Sequence, residues 1–264
     1  MKKALFFIFL TCVIGCENSS QSKETPKERN IVQVPLINYG VVNIFPHDTA
    51  LFTEGFFYKD GKIYESTGLK GKSGFLIYDL ATGKVAKRVQ IPSKYFGEGI
   101  AFLKNKFYQL TWLDHIGFIY DAKSFKQIGT FNYPSEGWAL TTDGNSLIMN
   151  DGSNHITYLN AANLKPVKVL NVAENGIPQD SLNELEFIKG YIYANIWYRN
   201  EIVKIDTSNG NIVGKLDLTS IVNEAGMKYP GADVLNGIAY DRASDRIYVT
   251  GKLWQNIYQI SFPH

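Results

Sequence analysis

The sequence predicts an all-β fold, specifically a five-bladed β-propeller closed by an N-terminal strand. Two short patterns each recur five times, and a repeat of roughly 40 to 50 residues is the sequence signature of a propeller blade. Tyr and Phe occur 16 times each and Gly 23 times, which is typical of short strands joined by tight turns. A β-sandwich is the alternative, but it gives no reason for five copies of one four-strand unit.

The first pattern predicts the innermost strand of each blade, and the second pattern predicts the strand beside it. Each copy of the first pattern begins with Glu or Asn and ends on a large apolar residue. The copies span residues 54–58, 98–102, 136–140, 183–187 and 236–240. The second pattern follows after a polar turn and is rich in β-forming residues. Its copies span residues 63–68, 107–112, 147–152, 192–197 and 247–252.

The outer strands complete each blade. A third strand leads into turns such as 81–84 and 208–211, whose Gly and Asn suit hairpins. A fourth strand is predicted in four repeats, over residues 85–91, 127–133, 166–172 and 212–218. The fifth repeat ends after 257–262, whereas residues 39–45 precede the first repeat without a partner. We therefore expect residues 39–45 to close the ring as the outer strand of the fifth blade, which removes exposed edges.

The first 30 residues are predicted to lie outside this domain. Lys2 and Lys3 precede an apolar run that ends at Cys16, so residues 1–15 are predicted to be a lipoprotein signal peptide and Cys16 the lipidated N-terminus. A plain signal peptide with an incidental cysteine is the alternative. Residues 16–30 are polar and predict a flexible tether, which leaves 31–264 as the propeller domain. We expect a secreted, membrane-anchored bacterial lipoprotein in the periplasm or at the cell surface.

Charge and cysteine content exclude several classes of function. Removal of Lys2 and Lys3 leaves equal numbers of basic and acidic residues, whereas binding to nucleic acid requires a clustered basic excess. The predicted domain has no cysteine, and its four histidines are dispersed without metal-ligand spacing. We therefore expect no nucleic-acid partner, no cysteine nucleophile and no catalytic metal. We also expect a monomer that contacts the membrane only through its lipid anchor.

Equivalent positions of the five repeats form rings around the propeller axis. The opening position of the first pattern carries Glu54, Glu98, Glu136, Asn183 and Asn236. Three acids and two amides cannot share a dry core without severe desolvation. The sixth position of the second pattern carries Gly68, Trp112, Gly152, Trp197 and Lys252. Alone, each residue could be a turn cap, a core tryptophan or a solvated lysine, but together they predict a concave, partly apolar funnel.

Motifs of one known family occur in order along the whole predicted domain. They are Phe-Thr-Glu-Gly at 52–55, Phe-Gly-Glu-Gly at 96–99, Gln-Leu-Thr-Trp at 109–112, Glu-Gly-Trp at 136–138, Leu-Asn-Glu-Leu-Glu at 182–186, Ala-Asn-Ile-Trp at 194–197, Leu-Asn-Gly-Ile-Ala at 235–239 and Thr-Gly-Lys at 250–252. In these motifs the sequence resembles the plant and bacterial glutaminyl-peptide cyclotransferases, a family of five-bladed propellers. The resemblance implies conversion of the N-terminal Gln of peptides and proteins to pyroglutamate with release of ammonia. A surface propeller that only binds a ligand is the alternative.

The resemblance also implies roles for individual residues. The family's catalytic carboxylate falls on Glu98, with Lys252 and Asn183 as groups that stabilise a developing oxyanion. The implied substrate-binding residues are Phe52, Glu54, Trp112, Trp138 and Trp197. The family usually has Gln where this chain has Glu54, so a second carboxylate is expected to raise a neighbour's pKa or to favour a basic second residue in the peptide. No cofactor is expected for catalysis, although oxygen atoms in the channel suit a structural calcium ion.

Overall fold

A computed structural model describes residues 33–264, which contain 22 β-strands and one α-helix. The closing strand and the first two blades are β1 (Gly40–Pro46), β2 (Thr53–Lys59), β3 (Lys62–Thr67), β4 (Gly74–Asp79), β5 (Val85–Gln90), β6 (Gly97–Leu103), β7 (Lys106–Thr111), β8 (Ile116–Asp121) and β9 (Gln127–Asn132). The third blade, a small hairpin and the fourth blade are β10 (Leu140–Thr142), β11 (Ser146–Asn150), β12 (His155–Asn160), β13 (Pro166–Asn171), β14 (Ala173–Glu174), β15 (Ile177–Pro178), β16 (Leu182–Ile188), β17 (Tyr191–Ile196), β18 (Glu201–Asp206) and β19 (Ile212–Asp217). The helix and the fifth blade are α1 (Thr219–Lys228), β20 (Leu235–Asp241), β21 (Arg246–Gly251) and β22 (Asn256–Ser261). Apart from the hairpin β14–β15, the strands form five antiparallel four-stranded sheets, which confirms the predicted five-bladed propeller.

The N-terminal strand closes the ring. β1 pairs antiparallel with β22, from Gly40 opposite Ser261 to Pro46 opposite Asn256. The fifth sheet therefore has the strand order β1-β22-β21-β20, with β1 outermost. The predicted closing strand is confirmed, and its bounds are shifted by one residue. Because β1 covers the edge of β22, the last blade has as many strands as the other four.

Each blade packs both of its faces against neighbouring blades. Phe56 of the first blade shares a buried cluster with Tyr248 of the fifth blade. Phe75, on another strand of the first blade, shares a second cluster with Phe107 of the second blade. Burial on both faces explains why β4 carries consecutive apolar residues instead of an alternating pattern.

Polar contacts also join the blades across the axis. The Glu184 carboxylate in β16 accepts hydrogen bonds from the backbone N–H groups of Phe56 (3.1 Å) and Ile238 (2.8 Å), which belong to the first and fifth blades. Asn236 donates from its side-chain amide to the carbonyl of Thr53 at 2.9 Å. These satisfied buried bonds fix the starts of the inner strands relative to one another.

Two features differ from the prediction. The prediction of an inner strand over 136–140 is wrong for residues 136–139, because β10 begins at Leu140. Among the preceding residues, Gly137 donates its N–H to the carbonyl of Trp112 in a neighbouring loop at 3.0 Å, whereas Trp138 donates to the carbonyl of Asn150 in its own blade at 3.1 Å. The second feature is α1, which the all-β prediction lacks. Its N-cap position is Leu218, whose side chain cannot cap the helix, and the nearest acceptor is Asp217, which accepts from the N–H of Thr219 at 2.9 Å.

Tertiary packing stabilises α1 in place of local signals. Ile221 and Ala225 are buried in the same apolar cluster as Trp254 and Tyr258 of the fifth blade. The helix therefore covers the core where the fourth blade passes into the fifth.

Part of the sequence prediction lies outside the described residues. The predicted signal peptide (1–15), the lipidated Cys16 and the tether (16–30) all precede residue 33. Within residues 33–264, no helix has the length and apolar character needed to cross a membrane.

Candidate active site

One end of the propeller axis opens into a cavity of about 220 Å³. All eight side chains that the sequence predicts for the site line this cavity, namely Phe52, Glu54, Glu98, Trp112, Trp138, Asn183, Trp197 and Lys252. Five further residues complete the lining, namely Leu69, Phe96, Tyr198, Asp233 and Val234. The fold thus gathers side chains from all five blades around one concave space.

Antiparallel pairing explains why the two predicted rings meet. In every blade except the third, the opening position lies at the start of an inner strand, and the sixth position lies just past the end of the neighbouring strand. In the second blade Gly97 pairs with Thr111, so Trp112 lies opposite Phe96 and donates its N–H to the Phe96 carbonyl at 3.1 Å, two residues before Glu98. The equivalent pairs in the first, fourth and fifth blades, Thr53–Thr67, Leu182–Ile196 and Leu235–Gly251, gather both rings at the same end of the axis.

The sixth position of the second pattern is glycine in two blades, and steric contacts explain both glycines. In the first blade a Cβ at Gly68 would overlap the ring of Phe96. In the third blade Gly152 has a φ of +80°, and a Cβ there would stand 2.6 Å from the indole of Trp138. Glycine in these two blades therefore leaves room for an aromatic wall, whereas the other three blades carry a wall-forming side chain at this position.

The aromatic rings pack edge to face along the wall. The ring of Phe96 lies 6.3 Å from that of Phe52 and 5.7 Å from that of Trp112 between centroids. On the other side Trp138 and Trp197 are 5.3 Å apart with perpendicular planes. Edge-to-face contacts fix the relative orientation of such rings, so the apolar lining has a defined shape.

Glu54 and Lys252 form a buried ion pair. The Lys252 ammonium nitrogen lies 2.6 and 2.7 Å from the two carboxylate oxygens of Glu54, and it stands 4.5 Å from the centroid of the Phe52 ring. Both side chains are more than nine-tenths buried. Glu54, which stands where the family usually has Gln, therefore offsets the positive charge of Lys252, the predicted oxyanion donor. Two of the three N–H groups of Lys252 point at Glu54, and one is left free of a partner within residues 33–264.

Glu136 accepts hydrogen bonds from two tryptophans. The indole nitrogens of Trp112 and Trp138 lie 2.7 and 2.8 Å from the same carboxylate oxygen, Oε2. Glu136 itself is half-buried and stands behind the two indoles instead of lining the cavity.

Two of the five residues at the opening position of the first pattern have side-chain polar atoms without a hydrogen-bond partner in the described part of the chain. Within residues 33–264 the Glu98 carboxyl has no hydrogen-bond partner, and the buried Asn183 Oδ1 has none either. Asn236, in contrast, donates to Thr53 and accepts from the N–H of Glu184. Because buried polar groups are normally paired, a free carboxyl and a free amide oxygen that line one cavity indicate where a ligand binds.

Burial controls the protonation of the two acids in the cavity. It raises the pKa of Glu98 well above its usual range, the negative charge of Glu54 raises it further, and the Lys252 ammonium opposes the shift. Burial also raises the pKa of Glu54, to about 7, against the same ammonium. Glu98 therefore retains its proton more readily than an exposed carboxyl near neutral pH, as a proton donor in catalysis requires.

Five lining residues are missing from the sequence prediction. Phe96 could have been predicted from the repeat, since Phe stands two residues before Glu in each of the first two blades. Leu69 and Tyr198 follow the sixth position with φ of 75° and 60°, which side chains of their type rarely adopt and no pattern indicates. Asp233 and Val234 lie between α1 and β20, outside the repeat.

A larger cavity, of about 400 Å³, lies at the opposite end of the inner strands. Burial raises the pKa of its Glu186 to about 8, and Thr141 donates to this carboxyl at 2.9 Å. Arg242 donates to the Thr142 carbonyl at 2.9 Å, from the fifth blade to the third. This cavity contains neither a tryptophan nor any predicted site residue, so the smaller cavity is the candidate active site.

Metal-binding groups are not clustered in the described part of the chain. Among residues 33–264, no three His, Cys, Asp or Glu side chains are arranged to hold a metal ion.

The chain is similar to known proteins over most of its length. A family model for glutamine cyclotransferase matches residues 9–262. A glutaminyl-peptide cyclotransferase from Arabidopsis thaliana is 35% identical over 261 residues, which cover 97% of this chain and 79% of that protein. The crystal structure of Myxococcus xanthus glutaminyl cyclase superimposes with a TM-score of 0.79 at 31% identity, covering 86% of this chain and 98% of that chain. The chain therefore belongs to the glutamine cyclotransferase family.

Proposed function

We propose that this protein converts the N-terminal glutamine of peptides and proteins to pyroglutamate, and that the reaction takes place in the 220 Å³ cavity. The observation that carries the proposal is the free carboxyl of Glu98. Of the three equivalent glutamates, Glu54 is paired with Lys252 and Glu136 with two indoles, whereas Glu98 lines the cavity without a partner among residues 33–264.

Cyclisation requires a group that moves one proton. The α-amine nitrogen of the substrate attacks the γ-carboxamide carbon, a new C–N bond forms, and the bond to the amide nitrogen breaks. The proton lost by the amine must reach the departing nitrogen, which leaves as ammonia. One carboxyl beside both nitrogens can give a proton to the leaving group and take one from the amine, so Glu98 ends in the state in which it began.

The other residues hold the substrate and stabilise charge. The free Asn183 Oδ1 suits an N–H group of the substrate. The third N–H of Lys252 and the amide nitrogen of Asn183 are donors for the oxyanion that develops on the carboxamide. The tryptophan walls hold the glutamine side chain folded towards its own amine and exclude water, which would otherwise hydrolyse the amide to glutamate.

A dipeptide assay tests the function. Gln-Ala should release ammonia in step with formation of pyroglutamyl-Ala, whereas N-acetyl-Gln-Ala should release none because its amine is blocked. Glu98→Gln is the matched control. A protein that binds Gln-Ala but releases no more ammonia than Glu98→Gln would be the ligand-binding propeller instead.

We further propose that catalysis requires no metal ion, since the proton transfer and the charge stabilisation above are assigned to side chains. Activity should survive a zinc-selective chelator. Loss of turnover that zinc alone restores would contradict this prediction. A structural calcium ion in the channel remains a separate prediction, which metal analysis of the purified protein tests.

We propose that the protein is a secreted lipoprotein, anchored to the membrane through Cys16, and that it acts as a monomer. Support comes from the apolar run that ends at a small residue before Cys16 and from the polar stretch after it. An enzyme outside the cytoplasm would meet the exposed N-termini of secreted peptides and proteins.

A further inference from the structure

We propose that Glu136 is a positioning residue, which holds the indoles of Trp112 and Trp138 in the orientation that the substrate requires. This inference rests on the proposed function. The geometry behind it is the shared carboxylate oxygen, which accepts both indole N–H groups at 2.7 and 2.8 Å.

The two tryptophans need such a partner because neither is fixed by burial. Trp112 is 36% exposed and Trp138 is partly buried. They also come from different blades, Trp112 from the loop after β7 and Trp138 from the segment before β10. One charged acceptor joins the two walls, and hydrogen bonds to a charged group are stronger than neutral ones.

The local backbone reinforces the arrangement. Gly137 donates its N–H to the carbonyl of Trp112 at 3.0 Å, so the residue between Glu136 and Trp138 is itself bonded to the first tryptophan. Trp138 in turn packs edge to face on Trp197. The orientation that Glu136 sets is therefore transmitted along the aromatic wall to the fourth blade.

The equivalent acids of the other blades show that this role is not a general property of the ring. Glu54 contacts an ammonium group, and Glu98 contacts no partner among residues 33–264. Glu136 does not line the cavity, so it acts on the substrate through the indoles.

The test compares Glu136→Leu with Glu136→Gln. Leu removes the acceptor, whereas Gln keeps a neutral acceptor oxygen at the same place. We expect kcat/KM for Gln-Ala to fall roughly 10- to 100-fold in Glu136→Leu, with a raised KM, because small misplacements of positioning groups cost up to about that much. Glu136→Gln should retain most of the parent's kcat/KM. Glu174→Leu, which removes a carboxylate bonded to Lys215 away from the cavity, should match the parent.

A second background shows whether Glu136 acts through the indole N–H groups. The double variant Trp112→Phe/Trp138→Phe lacks both donors, so adding Glu136→Leu should cost little more there. If Glu136→Leu lowers kcat/KM by the same factor in the parent and in the double variant, or if Glu136→Leu alone is fully active, the proposal is overturned.

Acrylamide quenching of tryptophan fluorescence provides a readout that needs no turnover. Glu136→Leu should be quenched more strongly than the parent, and Glu136→Gln should be close to the parent. Quenching of Glu136→Leu that equals that of the parent would overturn the inference, even if the parent protein cyclises Gln-Ala. A parent protein that releases no ammonia would instead refute the proposed function.

Discussion

At the scale of single residues, three glutamates at one repeat position have three different environments. Glu54 is paired with an ammonium, Glu136 accepts from two indoles, and Glu98 has no partner within the described chain. The chemical role of each acid therefore follows from its neighbours and not from its place in the repeat.

Glu98→Gln should separate catalysis from folding. Glutamine keeps the shape of the side chain but cannot exchange a proton, so turnover should fall by roughly 10² to 10⁴. The thermal midpoint should change little, because the Glu98 carboxyl makes no hydrogen bond within residues 33–264. Cyclisation rate and thermal midpoint, measured together, check both parts.

Glu54→Gln is the matched control for that experiment. Its amide oxygen can still accept from Lys252, and Gln is the residue that the family usually has, so most of the activity should remain. A Glu98→Gln enzyme within a few-fold of the parent, or two variants that lose activity equally, would remove Glu98 from the mechanism.

At the scale of elements, the closing strand is attached by more than its ladder with β22. His47, directly after β1, directs Nδ1 at the carbonyl of Trp254 (2.6 Å) and Nε2 at the carboxylate of Glu65 (3.0 Å). Both ring nitrogens face acceptors, an arrangement that favours the protonated imidazole. Glu65 also accepts from Thr53 and Tyr78, which joins the end of β1 to the first blade.

Removal of the closing strand should abolish cooperative folding. A chain that begins at Pro46 would expose the edge of β22, whereas one that begins at Ile31 should melt like the parent. A chain that begins at Tyr39 keeps β1 but loses the backbone bond from Ile37 to Lys215, so it isolates the contribution of the strand. Equal thermal midpoints for the chains that begin at Pro46 and at Tyr39 would refute the role of β1 in closure.

The buried His47 should make stability depend on pH. Burial lowers the pKa of His47, but the Glu65 carboxylate and the Trp254 carbonyl outweigh this effect and raise it above 6.5. A group whose pKa is raised by folding stabilises the fold fully below its unfolded pKa and loses that contribution as pH rises through the folded pKa. The loss of stability between pH 6 and pH 9 should therefore be smaller in His47→Gln than in the parent.

The same variant should be less stable than the parent at pH 6, by about 3 kcal/mol, because it leaves a buried carboxylate without its cation. His155→Gln, at an exposed histidine, should retain the pH dependence of the parent. Thermal melts across the pH range measure both effects, and equal slopes for His47→Gln and the parent would contradict the prediction.

At the scale of the whole molecule, the proposed location depends on Cys16, which precedes the described residues. Cys16→Ser should leave the protein without lipid and move it from the membrane fraction to the soluble fraction, because serine lacks the thiol that carries the proposed lipid. Fractionation followed by the dipeptide assay checks this prediction. The released variant should keep its activity, and a variant that still partitions with membranes would exclude the lipid anchor.

Most of the architecture could be predicted because it repeats. Five copies of two patterns predict the blade number, the inner strands and the convergence of Glu98, Asn183 and Lys252 on one axis. What does not repeat was missed. The N-cap position of α1 is Leu218, which has no capping side chain, and the inner strand of the third blade begins only at Leu140.

The sequence by itself therefore determined the fold, the family and eight of the thirteen side chains that line the cavity. Only the tertiary structure decided how these side chains pair: Glu54 with Lys252, Glu136 with two indoles, and Glu98 with no partner among residues 33–264. The physical reason is that repeat periodicity places equivalent residues around an axis, whereas their charges and hydrogen bonds are satisfied by neighbours from other blades. Those neighbours are distant in the chain, and they become adjacent only when the ring closes.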